Sequence, residues 1–263
     1  MLSARSIFRE IVDNDESFRL FASIAAAGEA QGGWENGRIA ALLPDELQWL
    51  APKVARHGKD EDKHGRIFNG LLRKRRLTPM DVPYDVNYTA LLEAQGIGVT
   101  HAQLQRDERL AEHDVIVYLA HSRVTEQRAS EQMALLRKHF DDDPLLGRAI
   151  RQIAADEANH LAYCNEELLR LNDLGHAAAV RRELRMCAHA EIRVYRDVSL
   201  GVIKRMGHIL SWSLPKRVVL ELGVYAVYGY ERLLGWRRMV SLHMPQQHDA
   251  LFATTAPANI SAH

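Results

Sequence analysis

The sequence predicts an all-α protein: a four-helix bundle with one long crossover, preceded by a short N-terminal helix and followed by two additional C-terminal helices. Three observations carry this. Only eight prolines interrupt 263 residues, and the long apolar-periodic segments show neither strand-type alternation nor Asn-Gly hairpins. Turn signals divide the chain in the order hairpin, long connection, hairpin. The word Asp-Glu-x-x-His occurs twice, at Asp60–His64 and at Asp156–His160, each time inside a helical pattern.

Taken in order, a short helix over about 3–12 breaks at Asp13 or Asn14, and helix A follows over about 15–43. Pro44-Asp45 turns the chain into helix B, about 45–75, which Pro52 and Gly58 are expected to bend. Residues 77–100 carry Thr78-Pro79, Val82-Pro83, Gly96 and Gly98, and form the crossover. Helix C, about 101–140, has neither Gly nor Pro and would extend about 60 Å if continuous. Asp141–Pro144 turns into helix D, which ends near Leu174 before Gly175. Two further helices cover about 176–207 and 215–240. The second holds the apolar stretch Val218–Tyr230 with Gly223, Ala226 and Gly229, read as a buried packing helix or a dimer face, so that a homodimer is expected. One domain over 1–244 results, with the bundle at about 15–174 and a disordered tail over 245–263.

Lys plus Arg equals Asp plus Glu at 34 each, so no net field draws the chain to a polyanion, and nucleic-acid binding is not expected. The basic run Arg73–Arg76 falls at a helix end, where cations suit the dipole. The two cysteines, Cys164 and Cys187, form no C-x-x-C, which excludes a thiolate zinc or rubredoxin-type iron site and suits a reducing compartment. No segment reads as a signal peptide or a membrane span, so the expected location is cytoplasmic, with no integral membrane part.

Glu and His three apart share a helix face, so the repeated word places Glu61 with His64 and Glu157 with His160. Each pair needs an upstream glutamate, and the turns select it, because antiparallel helices bring together residues equally far from their connection. Glu29 and Glu61 centre on position 45, and Glu126 and Glu157 centre between 141 and 142, both within turns. Glu35 and Glu131 centre past the turns, at 48 and 144. Glu126 also lies on an otherwise apolar stripe with Val115, Leu119, Ser122, Ala129, Met133, Leu136 and Phe140. Helix A is less decisive, since Glu35 has its own stripe of Leu20, Phe21, Ile24, Ile39 and Leu42; Glu29 is preferred and Glu35 is the alternative. Gly28, Gly32, Gly33 and Gly37 around Glu29 weaken a helix and admit a ligand or a close neighbour.

The set is then Glu29, Glu61, His64, Glu126, Glu157 and His160: four carboxylates and two imidazoles, matched to two divalent ions of iron or manganese type. Asp60 and Asp156 precede the ligand glutamates and are expected to accept the free ring N–H of the histidines crosswise, Asp60 from His160 and Asp156 from His64. His57, four before Glu61, shares the face and is a candidate third imidazole. Cys164, Tyr118 and Tyr163 are read as packing residues near the cavity.

Glu29, Glu61-x-x-His64, Glu126 and Glu157-x-x-His160 resemble, in type, order and spacing, the ligand pattern of the ferritin-like di-iron carboxylate superfamily. The resemblance covers about residues 15–172. It implies a ferritin-like bundle with two Fe ions, Mn or a mixed Mn/Fe pair being alternatives. It further implies an O2-activating non-haem di-iron oxidase or oxygenase that acts on a small organic substrate with an external electron donor. The rubrerythrin pattern is incomplete, as its C-x-x-C pairs are absent, and about ninety residues follow helix D where storage ferritins are near a bare bundle. The triplet His57-x-x-x-Glu61-x-x-His64 resembles that of the 4-aminobenzoate N-oxygenases, although there it belongs to the fourth helix. Two other readings stay open: a ferroxidase or peroxide-detoxifying protein without an organic substrate, and a non-enzymatic metal-stabilised partner protein.

Overall fold

The computed structural model describes residues 3–243, so the expected tail over 245–263 lies outside the described residues. Every regular element among the described residues is helical. Ser3 caps α1 (Ala4–Asp13). Asn14 ends that helix and caps α2 (Asp15–Leu42), its side chain accepting from the Glu16 and Ser17 amides, while Asp15 and Glu16 place negative charge at the positive end of the dipole.

After Pro44 a 3-10 turn, Asp45–Leu50, leads into α3 (Ala51–Lys74). The expected helix over 45–75 thus divides just before Pro52. Pro52 lies in the first turn of α3, where its missing N–H has no helical partner to lose. Gly58 lies inside the unbroken α3 and lets α2 and α3 close, because a Cβ there would lie 3.0 Å from the Gly33 carbonyl oxygen.

The crossover contains a 3-10 turn at Tyr84–Val86 and the short α4 (Tyr88–Glu93) and α5 (His101–Leu104). Helix C therefore does not start at 101 and run unbroken. Arg38 takes the Leu104 and Arg106 carbonyls, and the Leu110 amide donates to the Leu42 carbonyl at 2.8 Å, so tertiary hydrogen bonds replace helical ones over 105–110. The Asp114 carboxylate then accepts from the Ala111 amide and α6 (Glu112–Phe140) begins, 29 residues or about 44 Å long. α7 (Gly147–Leu171) ends earlier than Leu174, in a wide turn over Asn172–His176 that passes Gly175 at φ +101° and enters α8 (Ala177–Ile209). α9 (Leu214–Tyr230) continues through a wide turn at Glu231–Gly235 into α10 (Trp236–Val240).

α2 and α3 form one antiparallel hairpin, in which Gly65 opposes Ala26 and Gly58 opposes Gly37. α6 and α7 form another, tied by Arg123 to Asn165. The hairpins face each other with α3 antiparallel to α7: Lys53 pairs with Glu166 and Glu167, and His64 with Asp156. One apolar layer holds Phe18, Ala22, Phe68, Leu72, Phe140 and Ile153. The other holds Ile39, Leu42, Leu50, Val54, Leu119 and Leu168. Residues 29, 57–64, 126 and 157–160 fall between the two layers on every one of the four helices.

α8 lies against α6 and is fastened through Arg128, which donates to Glu191 on α8 and to Glu231. α9 has no buried residue. The expectation of a buried packing helix at Val218–Tyr230 is thus not met in the single chain: Val218, Val219, Leu222, Tyr225 and Tyr230 all face outward. No helix among the described residues is long and apolar enough to cross a membrane.

His121 on α6 is pressed against the crossover at Gly98, whose φ is +80° and whose Cβ, if present, would lie 2.7 Å from His121 Nδ1. Burial pushes the His121 imidazole down to about 4 from the usual 6.5, and Nε2 has no hydrogen-bond partner among the described residues. The folded state thus favours neutral His121; its contribution is intact above pH 6.5 and is lost as the pH falls towards 4, by about 3 kcal/mol. Urea titrations at pH 7 and pH 4 should show His121→Phe losing less stability on acidification than the parent, by about that amount. An equal loss in both proteins would contradict this account.

Candidate metal centre

Seven ligand-type side chains enter the middle layer from four helices: Glu29 from α2; His57, Glu61 and His64 from α3; Glu126 from α6; Glu157 and His160 from α7. They form two groups whose donor atoms all lie within 4.8 Å of one another. His57, Glu61, Glu126 and His160 make one; Glu29, Glu61, His64 and Glu157 make the other. Glu61 belongs to both. The sequence-predicted ligands therefore come together, with His57 as a seventh.

The alternatives fall elsewhere. Glu35 accepts from Gln31 at 2.7 Å, and Glu131 accepts from Arg238 at 2.7 and 2.9 Å; neither belongs to the two groups. Register is the reason, since a residue six positions along α2 lies about 9 Å further up the axis.

Each imidazole turns one nitrogen to the carboxylates and the other to a partner. His64 Nδ1 lies 3.1 Å from Glu29 and 3.5 Å from Glu157, while Nε2 lies 3.1 Å from Asp156. His160 Nδ1 lies 3.6 Å from both Glu61 and Glu126, while Nε2 lies 3.6 Å from Asp60. Asp156 thus stands on His64 and Asp60 on His160, in a crosswise arrangement. His57 Nε2 lies 3.2 Å from both Glu61 and Glu126, and its Nδ1 is 2.7 Å from the Tyr163 hydroxyl. Such outward partners orient a ligating imidazole and raise its basicity.

Sequence reasoning missed two supports. Lys63 bridges Asp60 and Asp156 at 2.7 Å each and ties the two halves together across α3 and α7. Its place inside the first word, beside His64, was the available signal. The second support is a buried chain: Tyr163 meets Tyr118 at 2.9 Å, and Tyr118 donates to Asn36 at 2.6 Å. The two tyrosines, read from sequence as packing residues, are the hydrogen-bonded backing of His57. The register that pairs His64 with Asp156 also pairs His57 with Tyr163. Cys164 is fully buried, and burial pushes its thiol up to about 12, which suits a small packing residue.

The charges are crowded. Burial and the neighbouring Glu61 and Glu126 hold the Glu29 carboxyl well above the usual range, and burial with Glu126 does the same to Glu157. Burial alone would raise Glu126 too, but His57 and His160 hold it well below. His57 in turn is pushed up to about 10, burial opposing and Glu126 and Glu61 prevailing. Glu126 Oε2 and both His160 nitrogens have no hydrogen-bond partner among the described residues. A divalent cation answers each of these features, replacing protons as the counter-charge and taking the unpaired lone pairs. Two donors held about 2.1 Å from one ion, 90–110° apart, lie about 3.0–3.4 Å from each other, close to the spacings here. These buried groups could hold a metal ion.

No family model, curated protein or solved structure matches the chain.

Gly32 is packed against the shared ligand: a Cβ there would lie 2.8 Å from Glu61 Oε2. Gly32→Ala should keep or slightly raise stability, by up to about 1 kcal/mol from helix propensity, while weakening metal binding about 10–100-fold by moving that carboxylate. Thermal melts beside a metal titration check this. Unchanged affinity would show that Glu61 is not held where described.

Proposed function

We propose that the chain is an O2-activating non-haem di-iron oxidase or oxygenase acting on a small organic substrate, built on a ferritin-like four-helix bundle. The observation that carries this is the pair of buried donor groups sharing Glu61 between two apolar layers. The hairpin–crossover–hairpin order supports the ferritin-like assignment.

Glu29, His64 and Glu157 would hold one ion, His57, Glu126 and His160 the other, with Glu61 between them. Iron bound there supplies the electrons that O2 activation needs; manganese or a mixed pair suits the same hard donors. The chain's own part is geometric and electrostatic. Asp60 and Asp156, joined by Lys63, hold the ring orientations of His160 and His64. Tyr163 holds His57 Nδ1 and keeps Nε2 on the cluster. The flanking apolar layers lower the dielectric around the carboxylates and so strengthen these contacts.

A cavity that opens on Glu29, His57, Glu61, Glu126 and Glu157 is walled largely by apolar side chains, which favours an organic substrate over the ferroxidase reading, where an acidic path would lead ions inward. The exposed apolar side chains of α9, Val218, Val219, Leu222, Tyr225, Val227 and Tyr230, support a homodimer, since a contiguous exposed apolar patch is ordinarily covered.

Anaerobic loading with Fe(II) should fill about two sites per chain, and the loaded protein should consume O2. Glu126→Ala should abolish that consumption and Glu131→Ala should preserve it; saturation near one ion per chain, or the reverse behaviour of the two variants, would sink the proposal. Sedimentation should show a dimer that Leu222→Glu converts to a monomer with unaltered helicity. A monomeric parent protein would remove the α9 interface from the reading.

A further inference from the structure

The cavity beside the cluster has a volume of about 840 Å³, in the upper part of the roughly 300–1,000 Å³ range of small-molecule sites. Its lining on α6 runs from Tyr118 to Leu136, about 27 Å of helix axis at 1.5 Å per residue, with Glu126 near the middle. The space is therefore long, and the cluster flanks its centre. Away from the cluster its wall is built from Phe21, Ile24, Met133, Leu136, Met206 and Val224, drawn from α2, α6, α8 and α9.

Charge complementarity narrows the occupant. Two arginines face the cavity, and both are engaged. Arg128 gives its donors to Glu191 and Glu231 at 2.7–2.9 Å and lies over the Tyr195 ring. Arg196 donates to Asp197 at 2.8 Å and lies over Tyr228. A carboxylate or phosphate headgroup would find no unpaired arginine or lysine in the lining among the described residues, and a cluster whose four carboxylates balance the two divalent ions proposed there offers neither sign of headgroup a net charge. Of the two lining carboxylates outside the cluster, Glu231 is paired with Arg128 and Arg238, while Glu35 accepts from the neutral Gln31 amide and burial holds its carboxyl above the usual range, so neither is a ready ion partner for an ammonium group. Burying an unpaired charge of either sign is costly, whereas a hydrocarbon surface gains by leaving water.

We infer that the cavity binds an elongate, uncharged, apolar molecule that lies along α6 and across the cluster. Calling that molecule the substrate rests on the oxidase reading above; its binding does not. The space is what selects it: length from the α6 lining, neutrality from the occupied arginines and carboxylates, and apolarity from the wall.

The test is calorimetry on the full chain, before and after chelation, with three probes of equal length: 1-decanol, decanoate and decylammonium. 1-Decanol should bind, and the two ions should bind about tenfold or more weakly. Gly28→Leu and Val224→Trp fill the cavity from two of its helices, α2 and α9; Gly28 faces open space, with nothing within 4 Å of a Cβ built there. Each should weaken 1-decanol binding about tenfold while melts and circular dichroism remain those of the parent. Equal or tighter binding of either ion overturns the inference, as does unchanged 1-decanol affinity in both filled variants, which would put the probe on the outer face of α9. Iron-loaded protein that consumes O2 but ignores 1-decanol would defeat this inference alone. Chelated protein that binds 1-decanol, paired with iron-loaded protein that consumes no O2, would support the binding inference and defeat only the oxidase reading.

Discussion

Glu29, Glu61, Glu126 and Glu157 meet in one layer of an otherwise apolar interior, where each ionised carboxylate is penalised by several kcal/mol unless it is paired. Three imidazoles share the layer; Glu126 and Glu61 push His57 up to about 10 against the effect of burial, and His57 and His160 hold Glu126 well below the usual carboxylate range. Burial and the neighbouring carboxylates hold Glu29 and Glu157 well above that range. This compensation is partial, since Glu126 Oε2 and both His160 nitrogens form no hydrogen bond among the described residues, His160 lying 3.6 Å from its charged neighbours Asp60, Glu61 and Glu126. Two divalent cations would satisfy the same layer with fewer unpaired atoms. That electrostatic demand is the constraint the surrounding architecture answers.

The helix packing follows from it. Four long side chains can converge only if the backbones carrying them are held in register, and glycine sets the spacing of α2 against α3. Gly32 leaves room for the Glu61 carboxylate, and Gly58 brings α3 onto the backbone of α2 at Gly33 and Gly37. Lys63 then clamps Asp60 and Asp156, so that the two repeated words are joined by a single cation as well as by their shared geometry. The apolar layers above and below supply most of the cohesion and lower the local dielectric, which strengthens every pairing inside. A polar layer of this density would be hard to retain in a fold with one core, because it interrupts hydrophobic contact; here it has a core on each side.

The C-terminal helices belong to the same arrangement. Arg128, two residues beyond Glu126, reaches away from the cluster to Glu191 and Glu231 and so fixes α8 and the α9–α10 turn to the ligand-bearing helix. The cavity lies between these added helices and the ligand helices, and its walls have already used their charged groups on one another. Ion pairing in the frame and neutrality in the cavity are thus two results of one set of contacts.

Fold class, helix order and ligand register were all legible in the chain. Helical periodicity with few prolines specifies all-α elements, and equal rise per residue makes the turn positions select Glu29 and Glu126 over Glu35 and Glu131. Local signals were weaker where tertiary contacts compete with them. The segment over 105–110 has helix-compatible residues, yet Arg38 and Leu42 take its backbone groups, and Pro52 reads as a bend when it stands in a first turn. The membership of His57, the Lys63 clamp and the tyrosine chain depend on distances between α3, α6 and α7. So does the cavity, whose walls come from segments far apart in sequence. The sequence by itself determined which residues could share a helix face and at what height; only the tertiary structure decided which faces meet, because that depends on how the two hairpins and α8 pack, and periodicity along one helix carries no information about its neighbours.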